Sequence, residues 1–438
     1  MKCMHSGLFR SCCAVFACIF GMLAPAGVLA VPAFARQTGL ECSSCHMSWL
    51  ELAPTGRQFK LNGYTLGQAQ PLPVAGMLQV SRTSTRSVDS QAQDEFPKDM
   101  KTIVQQISLF LAGKITSRVG TFTQVTYDGV DHRTAIDNFD LRYADRLGRE
   151  GNELLYGVTL HNNPTVQDVF NTGPAWGFPY ASSSVAIAPN ADTAIAGLGQ
   201  QVAGLGVYTL WRNTVYAEAS FYRTANKIFS PLRAGTDRAS DAALKGVNPY
   251  WRLALQHEWD SGTHSAMLGT YGLTVDAFPD NTDPTGPTNR FRDLALDGQY
   301  QYITDRHRVS AQFNWIRERQ EWNATPLSNP LSKLTSFRAK ATYYFDNRYG
   351  VTLARFSTRG DADAGRYDTG ERVTGSVAGS PNTQGYIAEI NYLPKRDIRF
   401  VVQYTGYTRF NGAKTDYDGF GRNARDNNSL YLLAWLMF

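Results

Sequence analysis

Asp293-Leu294-Ala295-Leu296-Asp297-Gly298-Gln299-Tyr300-Gln301-Tyr302 decides the fold of this 438-residue chain. Its even positions, Leu294, Leu296, Gly298, Tyr300 and Tyr302, are apolar or small, and Asp293, Asp297, Gln299 and Gln301 alternate with them. A period of two puts the two sets on opposite faces of a β-strand, one suited to lipid and the other to water. The same alternation runs through Phe337, Ala339, Ala341, Tyr343 and Phe345 against Arg338, Lys340 and Thr342. It recurs in Ile398, Phe400, Val402 and Tyr404 against Arg399 and Gln403. Soluble sandwiches alternate too, so the connections carry the decision.

Sixteen candidate strands fall near 74–87, 101–113, 115–127, 135–147, 152–161, 201–211, 213–223, 249–259, 263–275, 290–303, 306–318, 332–345, 348–359, 384–393, 396–410 and 428–438. Tight links at Arg212-Asn213, Asp260-Ser261-Gly262, Thr304-Asp305 and Asp346-Asn347 alternate with long connections, apart from one short link near Asp128 to Thr134. Short turns at one rim and long loops at the other predict an all-β, sixteen-stranded antiparallel outer-membrane barrel with both ends in the periplasm. The chain closes on Leu430-Tyr431-Leu432-Leu433-Ala434-Trp435-Leu436-Met437-Phe438, an alternating strand with a terminal aromatic. As a soluble terminus it would be an exposed apolar strand prone to aggregation.

Composition agrees. The chain has 38 Gly, 22 Tyr, 23 Phe and 8 Trp, yet after the N-terminal leader it has no apolar run long enough to span a bilayer as a helix. Aromatic richness of this kind suits strands that are apolar on one side only. The net charge of +5 is spread over 43 basic and 38 acidic residues without a basic block, so nucleic acid binding has no support.

The N-terminus reads as a leader. Lys2 and Arg10 precede an apolar run from Cys12 through Leu29, which ends Val28-Leu29-Ala30. This order predicts a secretory signal over residues 1–30, with Ala30, or alternatively Ala35, the last residue removed. Gly21, Pro25 and Gly27 interrupt the run and argue against a retained membrane helix. Of six cysteines, Cys3, Cys12, Cys13 and Cys18 fall in the leader, so the mature chain keeps Cys42 and Cys45.

Those two belong to Cys42-Ser43-Ser44-Cys45-His46, the C-x-x-C-H spacing of covalent c-type haem attachment. Two thiols three positions apart on one face of a turn can each form a thioether to a haem vinyl group, and His46 then serves as proximal ligand of the iron. One covalent haem c is expected. A thioredoxin-like pair would need a βαβ context, a zinc site would need further ligands nearby, and a plain disulfide would leave His46 without a role. The haem segment is expected to span residues 31–72 and the barrel residues 73–438. About 40 residues cannot bury a haem unaided, so the barrel must supply part of the pocket.

Other roles follow from chemistry. Met47 is too close to His46 to reach the opposite face of a haem, so Met77 is the expected distal ligand, its thioether raising the haem potential. Lys60, His132, His161 or an open position are the alternatives, and Arg57 and Lys60 are candidate partners of the haem propionates. The connection from about Asn162 to Gln200 carries Pro164, Pro174, Trp176, Phe178, Pro179 and Pro189. Aromatics that need burial predict that it folds into or over the lumen; a self-packed external cap is the competing reading. Loop carboxylates Asp94, Glu95, Asp99, Asp280, Asp283, Asp361 and Asp363 are hard oxygen ligands, but no iron site is assigned to them.

With motif and barrel argued, the chain resembles the fused outer-membrane cytochrome-porins implicated in extracellular iron(II) oxidation. The resemblance rests on Pro32-Ala33-Phe34-Ala35-Arg36-Gln37-Thr38-Gly39, the cysteine motif, Gly56-Arg57-Gln58-Phe59-Lys60 and Gly63-Tyr64-Thr65-Leu66-Gly67. Asn163-Pro164-Thr165-Val166-Gln167-Asp168 and Pro174-Ala175-Trp176-Gly177-Phe178-Pro179-Tyr180 add to it. The resemblance implies a monohaem cytochrome segment plugging the barrel and an iron(II):cytochrome c oxidoreductase activity. Electrons would pass from extracellular iron(II), or another donor, to a periplasmic cytochrome or copper protein. A barrel spans roughly 25 to 30 Å of hydrocarbon, so a haem serving an external donor has to sit inside it or be reached by a second carrier. The competing function is a diffusion porin, or a conduit for another donor, whose haem segment is a plug or sensor.

Overall fold

A computed structural model describes residues 32–85, 99–149, 151–178, 180–236, 242–368 and 370–438. The expected signal sequence lies outside the described residues. Sixteen strands run β1 (Val74–Thr85), β2 (Ile103–Lys114), β3 (Val119–Asp128), β4 (Arg133–Leu147), β5 (Leu154–His161), β6 (Val202–Trp211), β7 (Val215–Thr224) and β8 (Asn248–Trp259). They continue with β9 (His264–Ala277), β10 (Asn289–Ile303), β11 (His307–Glu321), β12 (Leu331–Phe345), β13 (Tyr349–Gly360), β14 (Thr383–Lys395), β15 (Ile398–Arg409) and β16 (Ser429–Met437). Each strand pairs antiparallel with its sequence neighbours, and β1 pairs with β16 to close the barrel.

The alternation read from the sequence is an inside-out one. On β10, Leu294 and Leu296 are 50% and 40% exposed, whereas Asp297 and Gln301 are fully buried. Apolar residues therefore face outward as a lipid-contacting surface and polar residues face the lumen, the arrangement a membrane barrel requires. Tight turns sit at one rim. Arg212 and Asn213, like Asp346 and Asn347, have positive φ at both central positions, the type I′ geometry whose twist matches the flanking strands.

The lumen is packed by two insertions. The first is the segment before β1, with helices α1 (Ala33–Thr38), α2 (Cys42–Cys45) and α3 (Pro54–Leu61). Pro54 starts α3 at a position where its missing N–H costs nothing. This segment sits against the short-turn half of the wall: Gln58 reaches Asn213, and Asn62 receives the guanidinium of Arg146 at 3.0 and 3.1 Å.

The second insertion is the β5–β6 connection, which folds into the lumen as expected. Asn314 donates to Thr172 O at 2.9 Å, Tyr180 to Gln312 at 2.9 Å, and Gln403 to Ala181 O at 2.7 Å. All three partners are inward-facing wall residues. The connection meets the N-terminal segment at Lys60 and Asn171.

Candidate functional site

α2 is a single turn, so Cys42 and Cys45, three positions apart, share a face. Both are half-buried free thiols. Four contacts fix this turn. Ala53 N donates to Cys45 O at 2.9 Å, and Arg308 on β11 donates to Ser43 O at 2.6 Å and to His46 O at 3.1 Å. Arg396 in the β14–β15 turn pairs with Glu41. Gly56 on α3 packs so closely that a Cβ there would lie 2.1 Å from Cys45 O.

His46 follows the turn in extended conformation, bridged to Leu52. Its Nδ1 is enclosed and has no hydrogen-bond partner. Burial pushes the imidazole down to about 4, which keeps it neutral with a lone pair available for coordination. Burial also raises both thiols, Cys45 to about 11. A dithiol redox couple depends on a depressed thiol, so the electrostatics here run against that chemistry. Among the described residues no three His, Cys, Asp or Glu side chains converge on a point. Free thiols on one face beside a neutral histidine are the donor set that a covalent c-type haem uses.

The other expected residues are placed as follows. Met77 faces the lumen from β1, 3% exposed, in one buried cluster with Trp49 and Trp435. Its sulfur has Gln79 Nε2 at 3.9 Å. Trp49, three positions after His46, packs edge-on to Trp435 at 5.0 Å, in the same apolar cluster as Met77.

His161 is committed elsewhere, with Nε2 2.7 Å from Tyr222 OH and Nδ1 3.2 Å from Thr159 Oγ1. His132 is exposed in the β3–β4 link beside Tyr127. Arg57 donates to Leu52 O, Gln299 and Gln301 and has Glu258 at 3.7 Å. Lys60 donates to Val166 O, Asp168 O and Asn171 Oδ1, which uses its three protons. These two cations thus hold the segment to the wall and to the inserted connection. Asp280 and Asp283 cap their own loops through Thr282 and Thr285, and Asp94 and Glu95 lie outside the described residues.

Residues that the sequence reading missed hold the interior together. Glu51 pairs with Lys340 at 3.1 Å; Arg142 pairs with Asp140 at 2.8 Å, which also accepts from Tyr64 OH at 2.6 Å and Thr159 Oγ1 at 2.7 Å; Arg252 pairs with Asp297 at 2.6 Å. Arg142, Asp140, Arg252 and Asp297 are completely buried. Asp140 and Arg142 share the inward register of β4, whereas Glu51 and Lys340, and Arg252 and Asp297, lie far apart in sequence and meet only when the barrel closes.

Solved outer-membrane barrels share this architecture. The outer membrane channel DcaP of Acinetobacter baumannii matches with a TM-score of 0.50 at 13% identity, over 83% of this chain and 96% of that one. The fold is that of an outer-membrane porin. OmpF of Salmonella typhi, solved in complex with daunomycin, aligns with a TM-score of 0.45 at 13% identity, over 83% of this chain and 97% of its own. A loop L8 deletion mutant of OmpT from Vibrio cholerae aligns with a TM-score of 0.44 at 8% identity, over 83% and 98%. No family model and no curated protein matches the sequence.

Proposed function

We propose that this porin-fold barrel is an outer-membrane electron conduit of the fused cytochrome-porin type. It takes electrons from an extracellular donor, iron(II) in the first instance, and delivers them to a periplasmic cytochrome or copper protein. Cys42 and Cys45 would hold one haem c covalently, His46 would bind its iron on the proximal side, and Met77 on the distal side. A haem held there supplies a one-electron acceptor.

The observation that carries this reading is the pair of free thiols on one helical turn, followed by a neutral histidine with an enclosed, unpartnered Nδ1. That turn is clamped inside the short-turn mouth of the barrel by Arg308 and Arg396. The surrounding chain does three things for such a site. Gly56 and Ala53 fix the turn, the Trp49 and Met77 cluster supplies an apolar wall, and the packed polar lumen keeps bulk water away. The porin fold also favours a second reading, solute passage. Against it, the inward residues of β8 and β10, such as Arg252 and Asp297, are buried by the two insertions.

The test is an absorption spectrum of the purified barrel, oxidised and then mixed anaerobically with iron(II). Reduced c-type bands are expected to appear promptly, and to be absent in Cys42→Ser/Cys45→Ser. Met77→Ala should keep covalent haem but shift the spectrum toward an open distal position. A barrel without haem after expression with a haem-attachment system would overturn the proposal. Steady single-channel conductance in planar bilayers would favour solute passage instead.

A further inference from the structure

The outward face of the barrel differs between its two rims. At the short-turn rim the outward positions are aromatic: Trp211, Trp259, Tyr300, Tyr343, Tyr349 and Tyr392, all 37–54% exposed. That is an interfacial aromatic girdle. At the long-loop rim of β10 to β15 the outward positions are cationic instead.

Strand register sets these cations side by side. Arg292 is directly opposite Arg319, and Arg319 is directly opposite Lys333. One step toward the membrane, Arg317 faces Thr335, which faces Arg359. Gln384 faces Arg409 on the next pair of strands. Arg359, Arg409 and Gln384 line a cleft of about 240 Å³ together with Thr358, Asn382 and Thr383.

Like charges directly opposite in a ladder repel, so this row is costly unless an anion lies over it. The protein supplies little. Arg292 has Glu321 at 2.6 Å, and Arg409 donates to Gly412 O at 3.3 Å. Among the described residues, the side chains of Arg317, Arg319, Lys333 and Arg359 form no ion pair with a carboxylate. Asp361, beside Lys333, accepts from that residue's backbone N–H at 2.9 Å. Just below the row β10 turns apolar through Leu294 and Leu296, while on β13 Ser357 and the outward-facing Arg355 come between Arg359 and Leu353. The cations therefore stand at the level where hydrocarbon gives way to headgroups. With termini and short turns in the periplasm, that level belongs to the outer leaflet.

We propose that Arg317, Arg319, Lys333, Arg359 and Arg409 form a binding surface for the phosphate groups of the outer-leaflet glycolipid. Guanidinium groups on adjacent strands match phosphate oxygens through paired N–H donors. The cleft of Arg359, Gln384 and Arg409 seats one phosphate, and the Arg319–Lys333 pair seats another.

The test uses the full barrel in micelles, with bisphosphorylated lipid A, dephosphorylated lipid A and inorganic phosphate as probes and bound lipid read by native mass spectrometry. Arg319→Gln/Lys333→Gln/Arg359→Gln should bind bisphosphorylated lipid A about 100-fold more weakly, each cation near a charged surface contributing about a factor of five. A charge-matched variant at the other rim, Arg212→Gln/Arg306→Gln/Arg348→Gln, should bind as the wild type does. Heat-modifiable migration shows that each variant is a closed barrel. Equal binding of dephosphorylated lipid A, an equal loss in the other-rim variant, or displacement of the lipid by inorganic phosphate would overturn the proposal.

Discussion

Glu51 Oε2 lies 3.1 Å from Lys340 Nζ, and both side chains are buried. The same carboxylate accepts from Ser310 and, at 3.3 Å, from Gln301, while the ammonium sits 3.5 Å over the Tyr180 ring. One ion pair thus ties the N-terminal segment, the wall and the inserted connection to a single point. Removing one partner of such a pair leaves a buried charge and costs about 3–5 kcal/mol, whereas replacing both by apolar residues of similar volume is close to neutral. Lys340→Met should therefore lower the thermal midpoint and open the segment to protease. Glu51→Leu/Lys340→Met should recover most of the loss. A double variant no better than the single one would mean that the pair's worth is not electrostatic.

The barrel was legible because its code is local. Alternation over a dozen residues marks a strand, and the strand expected near 332–345 is found at Leu331–Phe345. The misplaced end is instructive. β3 was expected from 115 but starts at Val119, because Thr116 accepts from Val119 N and holds residues 115–118 as a turn. Thr is a strand former by composition and a turn residue here by its hydroxyl. The turn that sets Cys42 and Cys45 on one face was legible for a similar reason, since a spacing of three is a local feature. What holds that turn was not. Lys340 and Glu51 are 289 positions apart, and Arg308 and Ser43 are 265 apart, so only closure of the barrel brings them together.

Lys60 gives the interior a pH dependence. Burial first, and then Arg142, lower its ammonium from 10.5 to about 7, although it donates to Val166 O and Asp168 O at 2.7 Å and lies 4.3 Å over Trp176. Between pH 7 and pH 10.5 the unfolded chain binds more of this proton than the folded one, so stability rises with pH across that window. Below it the penalty of the buried charge is complete, and above it there is none. The melting midpoint of the wild type relative to Lys60→Met should therefore climb from pH 7 to pH 10.5. A flat difference would show that Lys60 titrates as it does in the unfolded chain.

Closure itself rests on a glycine. Gly76 N donates to Phe438 O at 2.6 Å and Phe438 N donates back to Gly76 O at 2.9 Å, the first rung of the β1–β16 seam that continues from Met77 opposite Met437. A Cβ at Gly76 would lie 2.2 Å from the Phe438 ring, so any side chain there drives the terminal aromatic off the seam. Overpacking of this kind costs about 1–3 kcal/mol, and here it falls on the pair that turns an open sheet into a barrel. Gly76→Ala should lower the heat-modifiable fraction on refolding into micelles, where no insertion machinery takes part. Shortening the ring in Gly76→Ala/Phe438→Leu should restore it. If Gly76→Ala refolds as the wild type does, the ring swings into lipid without cost, and the seam is held by the rungs from Met77 to Thr85 alone.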